Sequence, residues 1–180
     1  MNSAHVRRRR RKLPNGVGAV LVLAFLAFEP RVLAQYSAQE YEIKAACLIH
    51  FAQFVKWPKA LPEGQPSIGI LGEDPFGGAL ERLGQMNVGR SQRLDDLKGC
   101  QILFISRSER SGIGEILAGL RGTNVLTVSD MDDFARKGGI IGVLIEGGKV
   151  HFEINPAAGQ RAGLEISSKL MKLCKIVNSG

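Results

Sequence analysis

The sequence predicts an α/β domain: a mostly parallel sheet with an antiparallel hairpin at its edge and helices on both faces. Three observations carry that expectation. The short apolar runs Ser67–Leu71, Gln101–Ile105 and Asn124–Val128 have the length and character of strands buried on both faces, where no alternation with polar residues is needed. Helix-start signals and helical spacing lie between them, the order expected when helices cross over between parallel strands. Two further runs, Ile140–Ile145 and Val150–Ile154, flank Gly147-Gly148, a pair suited to a tight hairpin turn.

In chain order, residues 1–34 read first as a cleaved signal peptide. A basic start, Arg7 to Lys12, precedes an apolar run from Val17 to Phe28 and a segment ending Val32-Leu33-Ala34. The run holds 12 residues, short of the ~20 that a membrane-spanning helix requires. Val32 and Ala34 are the small residues a signal peptidase reads, so cleavage is expected after Ala34 and the working chain is residues 35–180, in the periplasm. The leader carries seven of the 24 basic residues and one of the 17 acidic ones, so the formal charge of +7 falls to +1 in the mature chain. No mature run of Lys or Arg is longer than Arg136-Lys137. A nucleic-acid binder needs a clustered basic face to displace counterions from phosphate, so that class is excluded. The mature length suits one domain with a core of its own.

Ser37-Ala38-Gln39-Glu40 is a capping box, and the apolar positions from Tyr41 through Leu48 and Phe51 to Val55 predict a helix that stops at Trp57-Pro58. Gly64 to Pro66 reads as a turn. After the first strand, Asp74 as N-cap and Pro75 as first helical residue predict a short helix to about Leu83. An edge strand around Gly89 to Arg93 precedes the second buried strand. A helix over about Ser111 to Leu120 leads to the third strand, after which Ser129-Asp130-Met131-Asp132 opens a short helix ending at Gly138-Gly139. Behind the hairpin, Asn155-Pro156 caps a final helical region whose apolar face runs from Ala162 through Leu170 and Leu173 to Ile176 and Val177.

Motifs with mechanical content are absent. The mature chain has two histidines, His50 and His151, neither with a partner at metal-ligand spacing; H-E-x-x-H and G-x-S-x-G are both missing. Gly112-Ile113-Gly114 lacks the third glycine of a dinucleotide fingerprint and the lysine of a P-loop, and reads as the start of a helix. No catalytic residue, metal or cofactor is expected. Cys47, Cys100 and Cys174 form no C-x-x-C pair, and an odd number of thiols leaves at least one unpaired or bridged between chains. Two surfaces remain as candidate sites. The apolar excess of Phe152, Ile154, Leu170, Leu173 and Ile176, after some are allotted to the core, offers a partner-docking patch. Asp74, Ser106, Arg107 and Asp130 lie just beyond the strands, where α/β folds collect small ligands.

Several segments taken together resemble the YfiR family of exported bacterial proteins. They are Lys44-Ala45-Ala46 with Phe51 to Pro58, Ile70 to Gly77, Cys100 to Ser106, Leu126 to Asp130 with Phe134-Ala135 and Gly138-Gly139, and Phe152 to Asn155 with Ala162 to Leu170. The likeness spans about Tyr41 to Val177. It implies a periplasmic α/β repressor without enzymatic activity that contacts the periplasmic sensor part of an inner-membrane diguanylate cyclase, YfiN, or a similar sensor receptor. Cyclic di-GMP output, and with it biofilm formation, falls as a result. An outer-membrane lipoprotein, YfiB, relieves the repression, and a homodimer is a further expectation. Family members often pair a cysteine in the first strand with the cysteine equivalent to Cys100; here that strand reads Ser67-Ile68-Gly69-Ile70, so that disulfide is not expected. Cys47 and Cys174, on apolar faces, are expected as buried thiols, with a bridge between them as the alternative.

Overall fold

The computed structural model describes residues 29–58, 66–84 and 86–179. The chain divides into two units, Met1–Ser37 and Ala38–Gly180, and all side-chain geometry below belongs to the second. The basic start and apolar run of the expected leader lie outside the described residues, as do Gly64 and Gln65 of the expected turn.

Helix α1 (Glu29–Phe51) passes through a tight helical turn, Ala52–Phe54, into β1 (Val55–Lys56). Then come β2 (Ile68–Leu71), α2 (Ala79–Leu83), β3 (Val88–Ser91), β4 (Ile102–Ile105), α3 (Ile113–Gly119) and β5 (Leu126–Ser129). The last third is β6 (Ile141–Glu146), β7 (Lys149–Ile154), α4 (Pro156–Arg161), β8 (Glu165–Ile166), α5 (Ser168–Met171) and β9 (Lys175–Ile176). Seven strands form one sheet in the order β3-β2-β4-β5-β6-β7-β9, and β1 pairs with β8 in a separate two-stranded ladder. The first five are mutually parallel; β7 runs antiparallel to β6, and β9 parallel to β7. The fold is the expected mostly parallel α/β sheet with an antiparallel edge.

Strand residues divide strictly between two cores, which is why the sheet needs helices on both faces. Ile68, Ile70, Ile102, Phe104, Leu126 and Val128 enter the core shared with α1 and α2. Their neighbours Leu71, Leu103 and Ile105 enter the other, with Ile113 of α3 and Phe134. Two polar residues on the second face are satisfied locally. Thr127 Oγ1 accepts from Ile140 N at 3.0 Å, while Ser129 Oγ donates to the Ile105 carbonyl at 2.7 Å and accepts from Met131 N at 3.1 Å. Gly147 and Gly148 both adopt positive φ, 57° and 75°, as the hairpin turn requires.

Five expectations are corrected. Ser37 lies inside α1, which begins at Glu29, so the capping box is not at its first turn. The same helix stops at Phe51, because Val55 and Lys56 leave it to pair with Ile166 and Glu165. Helix α2 starts at Ala79, capped by Gly78 in the left-handed region, so Asp74 does not cap it, and residues 132–138 form turns where a short helix was expected. The final helical region is broken into two short helices and two short strands. Gly163 at φ 70° ends α4 beyond Arg161, and the chain re-pairs at β8 and β9.

Candidate functional site

The strand order fixes where a doubly wound sheet would hold a ligand. The chain moves outward from β2 to β3 and returns across β2 to β4, so the crevice of the switch point lies beyond the carboxyl ends of β2 and β4. Here Ser108 and Glu109 lie against the backbone that leaves β2. Ser108 Oγ accepts from Glu73 N at 3.1 Å and donates to Glu109 Oε1 at 3.0 Å. Gly72, at φ 90°, lies so close that a Cβ there would run into Ser108 Oγ and Glu109.

One strand further, at the end of β5, Asp130 gathers a buried ionic cluster. Its Oδ2 accepts from Tyr41 Oη at 2.9 Å and Lys44 Nζ at 2.7 Å, and lies 3.3 Å from Arg107 Nε. Arg107 also donates through Nη2 to the Asp130 carbonyl at 3.1 Å. Lys44 and Asp130 are each 1% exposed, Lys44 also pairs with Glu40, and its Nζ sits 4.4 Å from the Tyr41 ring centroid. Burial first, and then the charge of Asp130, push the Tyr41 hydroxyl well above its ordinary pKa. Removing two charges from water is costly unless each finds several partners, and Asp130 Oδ2 collects them; Oδ1 has none among the described residues. The arrangement fastens α1 to the end of the central sheet.

Of the four residues expected to line a ligand site, Arg107 and Asp130 meet. Asp74 Oδ1 accepts from Phe76 N at 2.7 Å and its Oδ2 pairs with Arg90 Nε at 2.6 Å. Ser106 Oγ accepts from Ser108 N at 3.5 Å at the head of the turn Arg107–Gly112. Glu40, Tyr41 and Lys44 were missed, although a signal existed: 41, 44, 48, 51 and 55 alternate three- and four-residue steps, so the apolar stripe runs straight through a lysine.

The five docking candidates separate by burial. Ile154 and Leu170, 0% and 2% exposed, belong to the core and cannot present a surface. Phe152 is half-buried, edge-on to Phe51 at 5.3 Å between ring centroids. Leu173 and Ile176 are 68% and 59% exposed. Ile176 pairs in register with Ile154 on β9, the end strand, so the apolar face of β7 continues to the sheet's open edge. Ile43 on α1, which lies off the stripe 41, 44, 48, 51 and 55, and Leu83 on α2 are also exposed.

All three thiols are unpaired and half-buried. Burial pushes Cys100 and Cys174 up to about 11, and raises Cys47 as well. Among the described residues no cluster of His, Cys, Asp and Glu has the makings of a metal site, and no helix is long and apolar enough to cross a membrane.

In fold, the chain is similar to a conserved domain protein from Vibrio cholerae O1 biovar El Tor str. N16961, with 10% identity and a TM-score of 0.53 over 76% of this chain and 59% of that one. The chain thus spans less than two thirds of that protein. A looser likeness, 12% identity and TM-score 0.49 over 62% of this chain and 55% of the other, is to an ABC domain in complex with L-Trp from Streptococcus pneumonia. No protein of curated function matches. The family described as YfiR/HmsC-like matches residues 41–175. That stretch runs from the Tyr41 of the buried cluster to the Lys175 of the end strand, and the chain belongs to the YfiR/HmsC-like family.

Proposed function

We propose that this protein is an exported periplasmic repressor that acts by binding. It docks on the periplasmic sensor part of an inner-membrane diguanylate cyclase or similar receptor and lowers cyclic di-GMP output. An outer-membrane lipoprotein that covers the same surface relieves the repression. The observation that carries the reading is the pair of exposed apolar side chains Ile176, on the end strand β9, and Leu173, in the turn that leads into it, backed by half-buried Phe152. Apolar side chains at a sheet edge are a liability for a protein with no partner and a ready interface for one that has one.

The test is a deletion strain complemented with the wild type, with Leu173→Asp, or with Ile176→Lys, in which cyclic di-GMP is measured alongside circular dichroism of each purified protein. Exposed positions tolerate such changes within ~0.5 kcal/mol of stability, whereas a central interface residue costs ~2 kcal/mol or more of binding. Derepression with an intact fold is the expected result; Leu170→Ala, a core change costing ~2–5 kcal/mol, is the control that loses repression through unfolding. If both charge variants repress like the wild type, the docking surface lies elsewhere. If they lose only self-association, the edge is a homodimer contact.

A further inference from the structure

A cavity of about 730 Å³ lies at the opposite end of the parallel strands from Asp130, beside the residues that lead into β5 and β6. This volume is within the range of small-molecule sites. Leu117 and Ala162 supply accessible apolar wall, backed by the buried Val125 and Ile140, and Arg121, Lys137 and Arg161 stand around it with no Asp or Glu in the lining. Among the described side chains, none of these three cations has a carboxylate within 4.0 Å, while Lys44, Arg82, Arg90, Arg107, Arg110 and Arg136 are all paired. Arg93, Lys149, Lys169 and Lys172 also have no such partner among the described side chains but lie outside the lining, so what marks the cavity is that three unpaired cations and no acid share one concave surface. Like charges around one opening repel, and a low-dielectric wall strengthens the field they project into it.

One of the cations is held in place from behind. Arg161 Nη2 donates to Ser179 Oγ at 3.4 Å, and Ser179 Oγ accepts from Asn155 Nδ2 at 2.7 Å. Asn155 is fully buried, and its Oδ1 caps α4 by accepting from Ala158 N at 2.9 Å.

We infer that this cavity binds a small organic phosphate monoester, its dianionic head among Arg121, Lys137 and Arg161 and its carbon body against the wall of Leu117 and Ala162. Guanidinium forks match the oxygens of a phosphate two at a time, and the lysine adds a point charge. The apolar wall adds affinity that inorganic phosphate cannot use. The inference stands apart from the docking edge on β9, and either can fail without the other.

Isothermal titration calorimetry of the purified protein at low ionic strength tests it with phenyl phosphate, inorganic phosphate, benzoate and citrate. Phenyl phosphate is expected to bind at least about tenfold more tightly than each of the others, and Arg121→Gln with Arg161→Gln to weaken it at least about tenfold. The two arginines are exposed, so the double variant keeps its melting temperature. A shift of the Leu117 and Ile140 amide resonances on titration locates the ligand. Absence of phenyl phosphate binding at about 10 mM, a threshold far weaker than the ~1 mM of a modest small-molecule site, overturns the inference. So does binding untouched by the double substitution, equal affinity for inorganic phosphate, or tighter binding of citrate, which would reassign the site to carboxylates.

Discussion

Gly69→Cys should create a disulfide with Cys100, and its effect can be worked out from the geometry. A Cβ built on Gly69 stands 2.9 Å from Cys100 Sγ. Within a disulfide, the Cβ of one cysteine lies about 3 Å from the sulfur of the other, given an S–S bond of ~2.04 Å. The same Cβ meets Leu103 Cδ1 at 3.0 Å and Leu97 Cβ at 3.4 Å, so both side chains must give slightly. In the reduced variant this crowding should cost ~1–2 kcal/mol. Oxidation closes a loop of about 32 residues, which lowers the entropy of the unfolded chain by the equivalent of ~3.5–4 kcal/mol. The oxidised variant should therefore be more stable than the reduced one by that amount, roughly 10 °C in melting temperature, and more stable than the wild type by ~2 kcal/mol. Differential scanning calorimetry with and without reductant reads the first difference, and thiol counting under denaturing, non-reducing conditions establishes the bond. The wild type should show three thiols and no response to reductant. A Gly69→Cys protein that keeps its added thiol and Cys100 both free under oxidising conditions would refute the placement of Cys100 beside β2.

The remaining predictions concern the ionic cluster, the alkaline limb and processing. Lys44→Ala strands the buried Asp130 carboxylate and should cost ~3–5 kcal/mol in urea unfolding, whereas Lys44→Met with Asp130→Leu should cost much less, since neither charge is then left alone; equal losses would show that the pair is not buried as described. The Tyr41 hydroxyl and the Cys100 thiol both have folded pKa values raised above their unfolded ones, so each contributes stability that is complete at low pH and lost as pH rises. The thiol's share should disappear between pH 9 and about 11, and tyrosine's only above pH 10. Tyr41→Phe should flatten the unfolding free energy above pH 10, and an unchanged slope there would remove tyrosine from the cluster's proton balance. The exported protein should begin at Gln35 by mass spectrometry of periplasmic extract; recovery of residues 1–34 in the membrane fraction would make the leader an anchor.

The central strands were legible because burial on two faces leaves a continuous apolar run such as Ile102-Leu103-Phe104-Ile105, a pattern few surface segments share. The chain after α4 was not, for a reason specific to short elements. Apolar residues at 162, 166, 170, 173 and 177 have helical spacing, and two-residue strands such as β8 and β9 are too short to show a period of their own. What decides between them is Gly163, whose left-handed backbone ends the helix, and pairing with β1 and β7 from distant parts of the sequence. The buried cluster shows the opposite case. Asp130 and Arg107 were found because the end of a parallel strand is a known location for sites, but the partner that neutralises Asp130 comes from α1, 86 positions away, and a lysine within an apolar stripe reads as a surface residue until the sheet is assembled.

Asn155 offers a substitution that separates two of its roles in one atom exchange. The sequence marks it as the cap of α4, and its Oδ1 does accept from Ala158 N, but its Nδ2 donates to the Ala135 carbonyl at 2.9 Å and to Ser179 Oγ at 2.7 Å. As a cap, aspartate is equivalent to asparagine, and the helix dipole favours it slightly. As a donor it fails, because a carboxylate would turn an oxygen toward the buried Ala135 carbonyl. Asn155→Asp should thus be destabilising at neutral pH by ~2–4 kcal/mol, the cost of a buried carbonyl left unpaired beside a charge. Part of that loss should return as pH falls, since the protonated carboxyl regains an O–H that can donate to Ala135. Its folded pKa is raised, so the penalty is smallest below the ordinary carboxylate range and grows above it. Urea unfolding at pH 4 and pH 7 measures the difference. An Asn155→Asp protein as stable as the wild type at both would mean that capping is all this side chain does, and that the segment reaching Ser179 is not tied to the 132–138 turns through it.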